Sequence, residues 1–217
     1  MNENMNKINP DESNAAAIDG STKDETIYAF VNQKIFSISH LWETQESAAR
    51  SILARMRRGV GKHPGSTPEL WEMTLDGLPE QFAGKGRMIK PTHGEFAVYT
   101  ALTLFALHQQ GYNANKELMS KNKFDFGRAA RRIAENDEDL KRIKRRFDAA
   151  VTSESMEEIS NHLRGLVQLL RSKKIPMDYP QLAEDLFWFF DVRHRDDVRL
   201  KWGRDFYRYR EENENDQ

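Results

Sequence analysis

From position 27 onward apolar residues return every three to four positions, with polar residues between them. Side chains at that spacing line one face of an α-helix, so the pattern predicts a series of amphipathic helices. In the first, Ile27, Phe30, Val31, Ile35 and Ile38 form the stripe. Thr22 and Glu25 before it have the spacing of a capping box, and the end is expected near Leu41. A second helix is expected from about Thr44 to Arg58, with Ala48, Ile52 and Met56 inward, Arg50 and Arg57 on the other face, and Gly59 as a C-terminal cap. Thr67-Pro68 reads as the N-cap and first-turn proline of a helix carrying Leu70, Trp71 and Leu75. Thr92 and Glu95 form another capping box, before a strongly apolar helix through Val98, Leu102, Phe105 and Leu107 that stops at Gly111.

A polar connection from Asn113 to Asn122 leads into the stretch FDFGRAARR at Phe124 to Arg132. Helical geometry puts Phe126, Ala130 and Ile133 on one side and Arg128, Arg131 and Arg132 on the other, with Asp125 as N-cap. The next helix begins near Asn136, with Leu140, Ile143 and Phe147 inward and Lys141, Arg142, Arg145 and Arg146 outward. A helix from Ser153 turns Ile159, Leu163, Leu166 and Leu170 inward and aligns Arg164 with Arg171. Asp178 and Pro180 open another through Leu182, Leu186 and Phe189, and the last runs from about Arg195 to Tyr209 with Val198, Trp202 and Phe206 inward. No alternating run is long enough for a sheet. The expectation is an all-α fold of two small helical bundles, 24–112 and 124–210, joined by a short connection. A disordered acidic arm, 1–23, and an acidic tail, 211–217, flank them.

Composition narrows the function classes. With 31% charged and 38% apolar residues the chain suits a helix-rich protein, and no stretch approaches the ~18 consecutive apolar residues of a membrane span. The polar, acidic N-terminus lacks a basic region followed by an apolar core, which points to a cytoplasmic protein. The absence of cysteine excludes disulfides, thiolate metal sites and a cysteine nucleophile. A net charge of -1 argues against a uniformly basic nucleic-acid coat, but the charge is unevenly spread. Residues 1–27 carry six acidic and two basic side chains; Arg50 to Lys62 holds five basic and no acidic residues; Lys121 to Lys174 holds fourteen basic against nine acidic.

Candidate catalytic motifs fail on order or context. RGVGKHPGST resembles a phosphate loop, but Lys62 is followed by His63-Pro64 where Ser or Thr is required, and no strand precedes it. Asp125-Phe126-Gly127 and His194-Arg195-Asp196 are both protein-kinase tripeptides, yet they stand in reversed order and without a glycine-rich loop or strand lysine. The histidines at 40, 63, 93, 108, 162 and 194 show no metal-ligand spacing, and no serine sits in a nucleophile elbow. The expectation is a protein without catalytic residues, metal or cofactor.

The arginine faces remain. One reading is a solvated surface laced by ion pairs. The other is a polyanion site, since guanidinium forks pair bidentately with phosphates and a groove walled by such helices follows a backbone without reading bases.

In the C-terminal half, HLRGLVQLLRSKKIPMDYPQLAEDLFWFF followed by VRLKWGRDFYRYR strongly resembles the CasB family, the small subunit of the type I-E CRISPR complex Cascade. The matching elements are Leu163-Arg164 with Leu166-Val167, Ile175 to Tyr179 with Leu182 and Asp185-Leu186, and Trp202 with Arg204 to Tyr207. FGRAARRIA resembles the family's Gly-Arg-Ala-Leu-Arg-Arg pattern with Ala130 in the leucine position, and ARMRRG its first arginine helix. The likeness spans roughly 27–210 and leaves out 1–26 and the loop at 60–68. It implies two copies of an all-helical subunit within a crRNA-guided ribonucleoprotein, beside backbone and large subunits. There it would steady opened target DNA, the displaced strand crossing its basic surface, with no enzymatic activity of its own. Binding to single- or double-stranded DNA, or to RNA, would be indifferent to sequence.

By motif the expected contacts are Arg57, Arg58, Arg128, Arg131, Arg132 and Arg164, with Arg142, Arg145 and Arg146 in the following helix. The charge pattern alone adds Arg50, Arg171, Lys173 and Lys174, and it takes Ile175 to Tyr179 as a structural turn. The alternative is a structural adaptor whose arginines meet carboxylates of neighbouring subunits.

Overall fold

A computed structural model describes residues 26–85 and 90–214 of the chain. The expected acidic arm, the Thr22–Glu25 box and the last three residues of the tail lie outside the described residues. Thr26 is the N-cap in fact: its hydroxyl accepts from the Ala29 amide and starts α1 (Ile27–Thr44). In α2 (Glu46–Arg57) the buried stripe is Ala49, Leu53 and Met56, one residue on from the expected one at its first two positions. Gly59 is not a left-handed cap. A Cβ there would stand 2.4 Å from the Tyr99 hydroxyl and 2.5 Å from Leu70, so the residue is glycine for want of space.

The helix expected after Thr67 is short: a 3₁₀ turn, Pro68–Leu70, and a single turn α3 (Trp71–Thr74). Thr67 makes no cap bond, because its hydroxyl is shared with Tyr99 Oη at 2.7 Å. α4 (His93–His108) begins with the expected Thr92/Glu95 capping box. It is apolar on nearly every side and lies at the centre, against α1, α2, α7 and α8. The remaining helices are α5 (Phe126–Arg132), α6 (Asp137–Val151), α7 (Met156–Ser172), α8 (Tyr179–Phe189) and α9 (Arg195–Glu214). Asp125 holds the N-cap position of α5 without a cap hydrogen bond, and α9 continues as helix through four residues of the expected tail.

All described helices join one continuous core, and the fold is all-α. α1, α2 and α4 gather with α8, while α5 packs on α9 and α6 on α7. α8 thus comes from the later half of the chain but packs with the earlier helices. The turn before it explains how: Met177 receives the Lys121 amide at 3.2 Å and donates to Met119 at 3.1 Å, tying the connection to the entry of α8. Around α5 and α9 the core is aromatic, with Phe126 edge-on to Trp202 at 4.9 Å and Phe147 stacked on Phe206 at 4.4 Å. Gly127 lets α5 touch α9, since a Cβ would lie 2.2 Å from the Trp202 carbonyl.

Candidate nucleic-acid interface

The last turn of α2 presents Arg57, half-buried, and Arg58, exposed, where unsatisfied helix carbonyls favour cations. Gly61, at φ 76°, then turns the chain beside α7, where its missing Cβ would come 3.7 Å from Asn161 Oδ1. On α7 Arg164 is exposed and Arg171 half-buried. The Arg57 guanidinium is held below its ordinary proton affinity by burial and then by the positive charge of Arg171. Two helices therefore hold like charges together. On the other flank of α7, the Arg146 guanidinium of α6 is 3.6 Å from where a Gly165 Cβ would stand. Arg146 therefore lies against α7 one residue from Arg164.

These cations differ in what already neutralises them. Among the described residues no carboxylate lies within ion-pair reach of Arg57, Arg58, Arg131, Arg145, Arg146 or Arg164. Arg50 instead pairs with Glu46 one turn away, its guanidinium 4.8 Å from the Trp42 ring. Arg142 pairs with Asp139, and Lys173 with Glu135. Arg171 Nη1 donates to Gln110 Oε1 at 3.0 Å, and the Lys174 ammonium sits 5.6 Å over the Tyr112 ring.

The α5 arginines are less free than the helical wheel suggests. Arg128, Arg131 and Arg132 are all half-buried, because seven residues packed on α9, α6 and α7 leave no broad outer face. Arg128 lies close enough to Asp205 to oppose the rise in that carboxyl's pKa, which burial and then Asp125 cause. The Arg132 guanidinium lies 4.7 Å over Phe124. The motif and charge pattern leave out Lys144 on α6 and Arg204, Tyr207 and Arg208 on α9, all exposed. Their signal is present in the sequence, since Leu200, Arg204 and Tyr207 repeat at helical spacing opposite the buried Val198, Trp202 and Phe206.

The residues of the kinase tripeptides serve packing. Phe126 and Gly127 are buried against α9. Asp191, whose carboxyl is held far below its usual range mainly by the Arg193 side chain, gathers Arg193 and His194, while Arg195 Nε donates to the Phe189 carbonyl at 3.0 Å. The glycine-rich loop follows helix α2 and folds on itself, His63 Nδ1 accepting from the Gly65 amide. Among the described residues no three His, Asp or Glu side chains converge as a metal site, and no helix is long and apolar enough to cross a membrane.

The family model of CRISPR-associated protein Cse2 matches residues 52–207, the span that contains every basic residue just described except Arg50 and Arg208. Among solved structures, CasB from Thermobifida fusca is similar with a TM-score of 0.67 and 30% identity, over 83% of this chain and 97% of that one. M. ruber CasB shares the fold with a TM-score of 0.60 and 23% identity, over 84% and 97% of the two chains. No curated protein matches the sequence.

Proposed function

The chain belongs to the Cse2, or CasB, family of CRISPR-associated proteins, and from that premise we propose that it is the non-catalytic small subunit of a type I-E Cascade complex. In that role it acts in the cytoplasm, beside backbone and large subunits and a second copy of itself, and holds the displaced strand of the R-loop. The observation that carries the reading is that Arg57, Arg58, Arg146 and Arg164 have no ion-pair partner among the described residues, while Arg57 feels the positive charge of Arg171. Like charges brought together raise the free energy of the isolated chain, and an anion that spans them lowers it. A phosphate backbone is such an anion, taken by guanidinium forks in charge-assisted pairs.

Contacts of this kind position a strand and carry no sequence information, so the same face accepts single-stranded DNA, duplex DNA or RNA. Sequence choice then rests with guide pairing. Opening a target exchanges one duplex for another at nearly equal free energy, and modest contacts to the freed strand tip the balance.

A salt titration of the full-length chain with single-stranded DNA tests this. Changing Arg57, Arg58, Arg145, Arg146 and Arg164 together to Ala lowers the slope of log affinity on log salt by about 0.7 for each phosphate that is no longer neutralised, or about 3.5 if all five arginines contribute. An unchanged slope assigns the surface to the carboxylates of neighbouring proteins, the adaptor role.

A further inference from the structure

Tyr207 projects from α9 with 57% of its surface exposed, although the helix buries Phe206 beside it and Trp202 below. Exposed cations surround it. Arg204 stands one turn before it on the same face, Arg208 follows it, and Lys144 reaches it from α6. The Lys144 ammonium is held above its usual proton affinity by hydrogen bonding to Asp148 first, with a contribution from the Tyr207 hydroxyl. The tyrosine ring meets Phe206 edge-on at 5.4 Å and 75°, so the buried phenylalanine braces one side and leaves the other open. α6 carries the surface onward through Arg145 and Arg146 to Arg164 on α7. The tyrosine therefore ends the row of cations described above.

We infer that Tyr207 is a stacking platform for one base of a single strand whose phosphates lie on Lys144, Arg204 and Arg208. The inference rests on the proposed nucleic-acid role of this surface and adds to it a contact with a base. An aromatic face set among cations is the recurrent way in which single strands are gripped without regard to sequence, because every base offers a π-face. A duplex has no splayed base to offer, so this contact favours the opened strand over the closed one. The described cations continue from Lys144 to Arg145 and Arg146 on α6, so the strand runs from Tyr207 toward that helix.

The test compares a single-stranded DNA with an abasic strand of the same length, bound to the full-length chain. The parent is expected to hold the base-bearing strand about 10-fold more tightly, from the free energy of one stacked base. Tyr207→Leu should close that gap while leaving the salt slope unchanged, and Tyr207→Phe should preserve it. Because the side chain is exposed, both variants keep the parent's unfolding midpoint. A leucine variant with the parent's gap, or a parent with no gap, overturns the stacking role while phosphate binding stands. A parent that binds neither strand overturns the nucleic-acid reading, and this inference with it. If the leucine variant binds DNA normally but fails to enter the assembled complex, this face of α9 docks protein and the stacking role is wrong.

Discussion

The indole N–H of Trp202 donates to Asp185 Oδ2 at 2.6 Å, joining α9 to α8 through a carboxylate that is only 4% exposed. The other oxygen, Oδ1, accepts from Lys201 Nζ at 2.6 Å and Gln181 Nε2 at 3.0 Å. Both residues fall among the elements that resemble the CasB family, and their role here is to join helices. A buried carboxylate is tolerated because both of its oxygens find donors.

Asp185→Ala leaves the Trp202 N–H buried without an acceptor and removes the partner of Lys201. The expected cost is about 3 kcal/mol, read as a lower urea midpoint with unchanged slope. A loss under about 1 kcal/mol would show that water replaces the carboxylate and that the contact does not hold α8 to α9.

The fold was far more legible than the surface. Helices with an unambiguous stripe, such as α7 through Ile159, Leu163, Leu166 and Leu170, are where periodicity put them. Thr92 and Glu95 form their box because capping depends only on neighbours. Packing between distant segments left weaker marks. Nothing local to α8 states that it lies against α1 and α4, and Gly59 reads as a cap until Tyr99 is seen against it. The same limit applied to charge. Arg58 and Arg50 look alike in sequence, and what separates them is Glu46, one turn before Arg50. The helical period puts Arg128 outward, and only the packing of α9 brings it within electrostatic reach of Asp205.

His108 gives the chain an acid sensitivity of calculable sign. Its Nδ1 lies 2.9 Å from the buried Tyr179 hydroxyl, and burial, reinforced by the charge of Arg171, lowers its pKa to about 4. The unfolded chain takes up the proton near pH 6.5 and the native chain refuses it. Stability is thus complete above pH 6.5 and falls as pH drops toward 4, by on the order of 2 kcal/mol between pH 7.5 and 5. Asp178, Glu184 and Asp205, raised mainly by burial, act in the opposite direction, because the native state keeps their protons to higher pH. His108→Gln retains a partner for Tyr179 and isolates the effect: its stability should fall less than the parent's over this range. Parallel profiles would place the sensitivity elsewhere.

Lys174 ends α7 in the left-handed conformation, φ 54°. Its amide donates to the Arg171 carbonyl at 3.2 Å and the Ile175 amide to Leu170 at 3.0 Å, the paired bonds of a Schellman motif whose turning residue is ordinarily glycine. Lys174→Gly should raise stability by about 0.5–1 kcal/mol, the relief of left-handed strain exceeding the loss of the ammonium over Tyr112. A lower urea midpoint would mean that the Tyr112 contact outweighs the backbone.

Arg57, Arg58, Arg146 and Arg164 should prove dispensable for the fold and for assembly but necessary for a durable R-loop. No described carboxylate pairs with them, so changing all four to Gln removes no ion pair within the described chain, and loss of Arg57 relieves its repulsion by Arg171. The variant's unfolding midpoint should therefore match or exceed the parent's. Removing one charge-assisted bond to phosphate costs on the order of 1 kcal/mol, and four together exceed the small balance on which strand opening rests. Permanganate reactivity on a matched target reads the state of the displaced strand, and native mass spectrometry reads subunit content. The expected result is a complex of full composition whose opened strand recloses or loses protection. If the subunit drops out, the arginines are assembly contacts and the adaptor role replaces the strand-holding one; if it stays and protection is unchanged, the displaced strand takes another path.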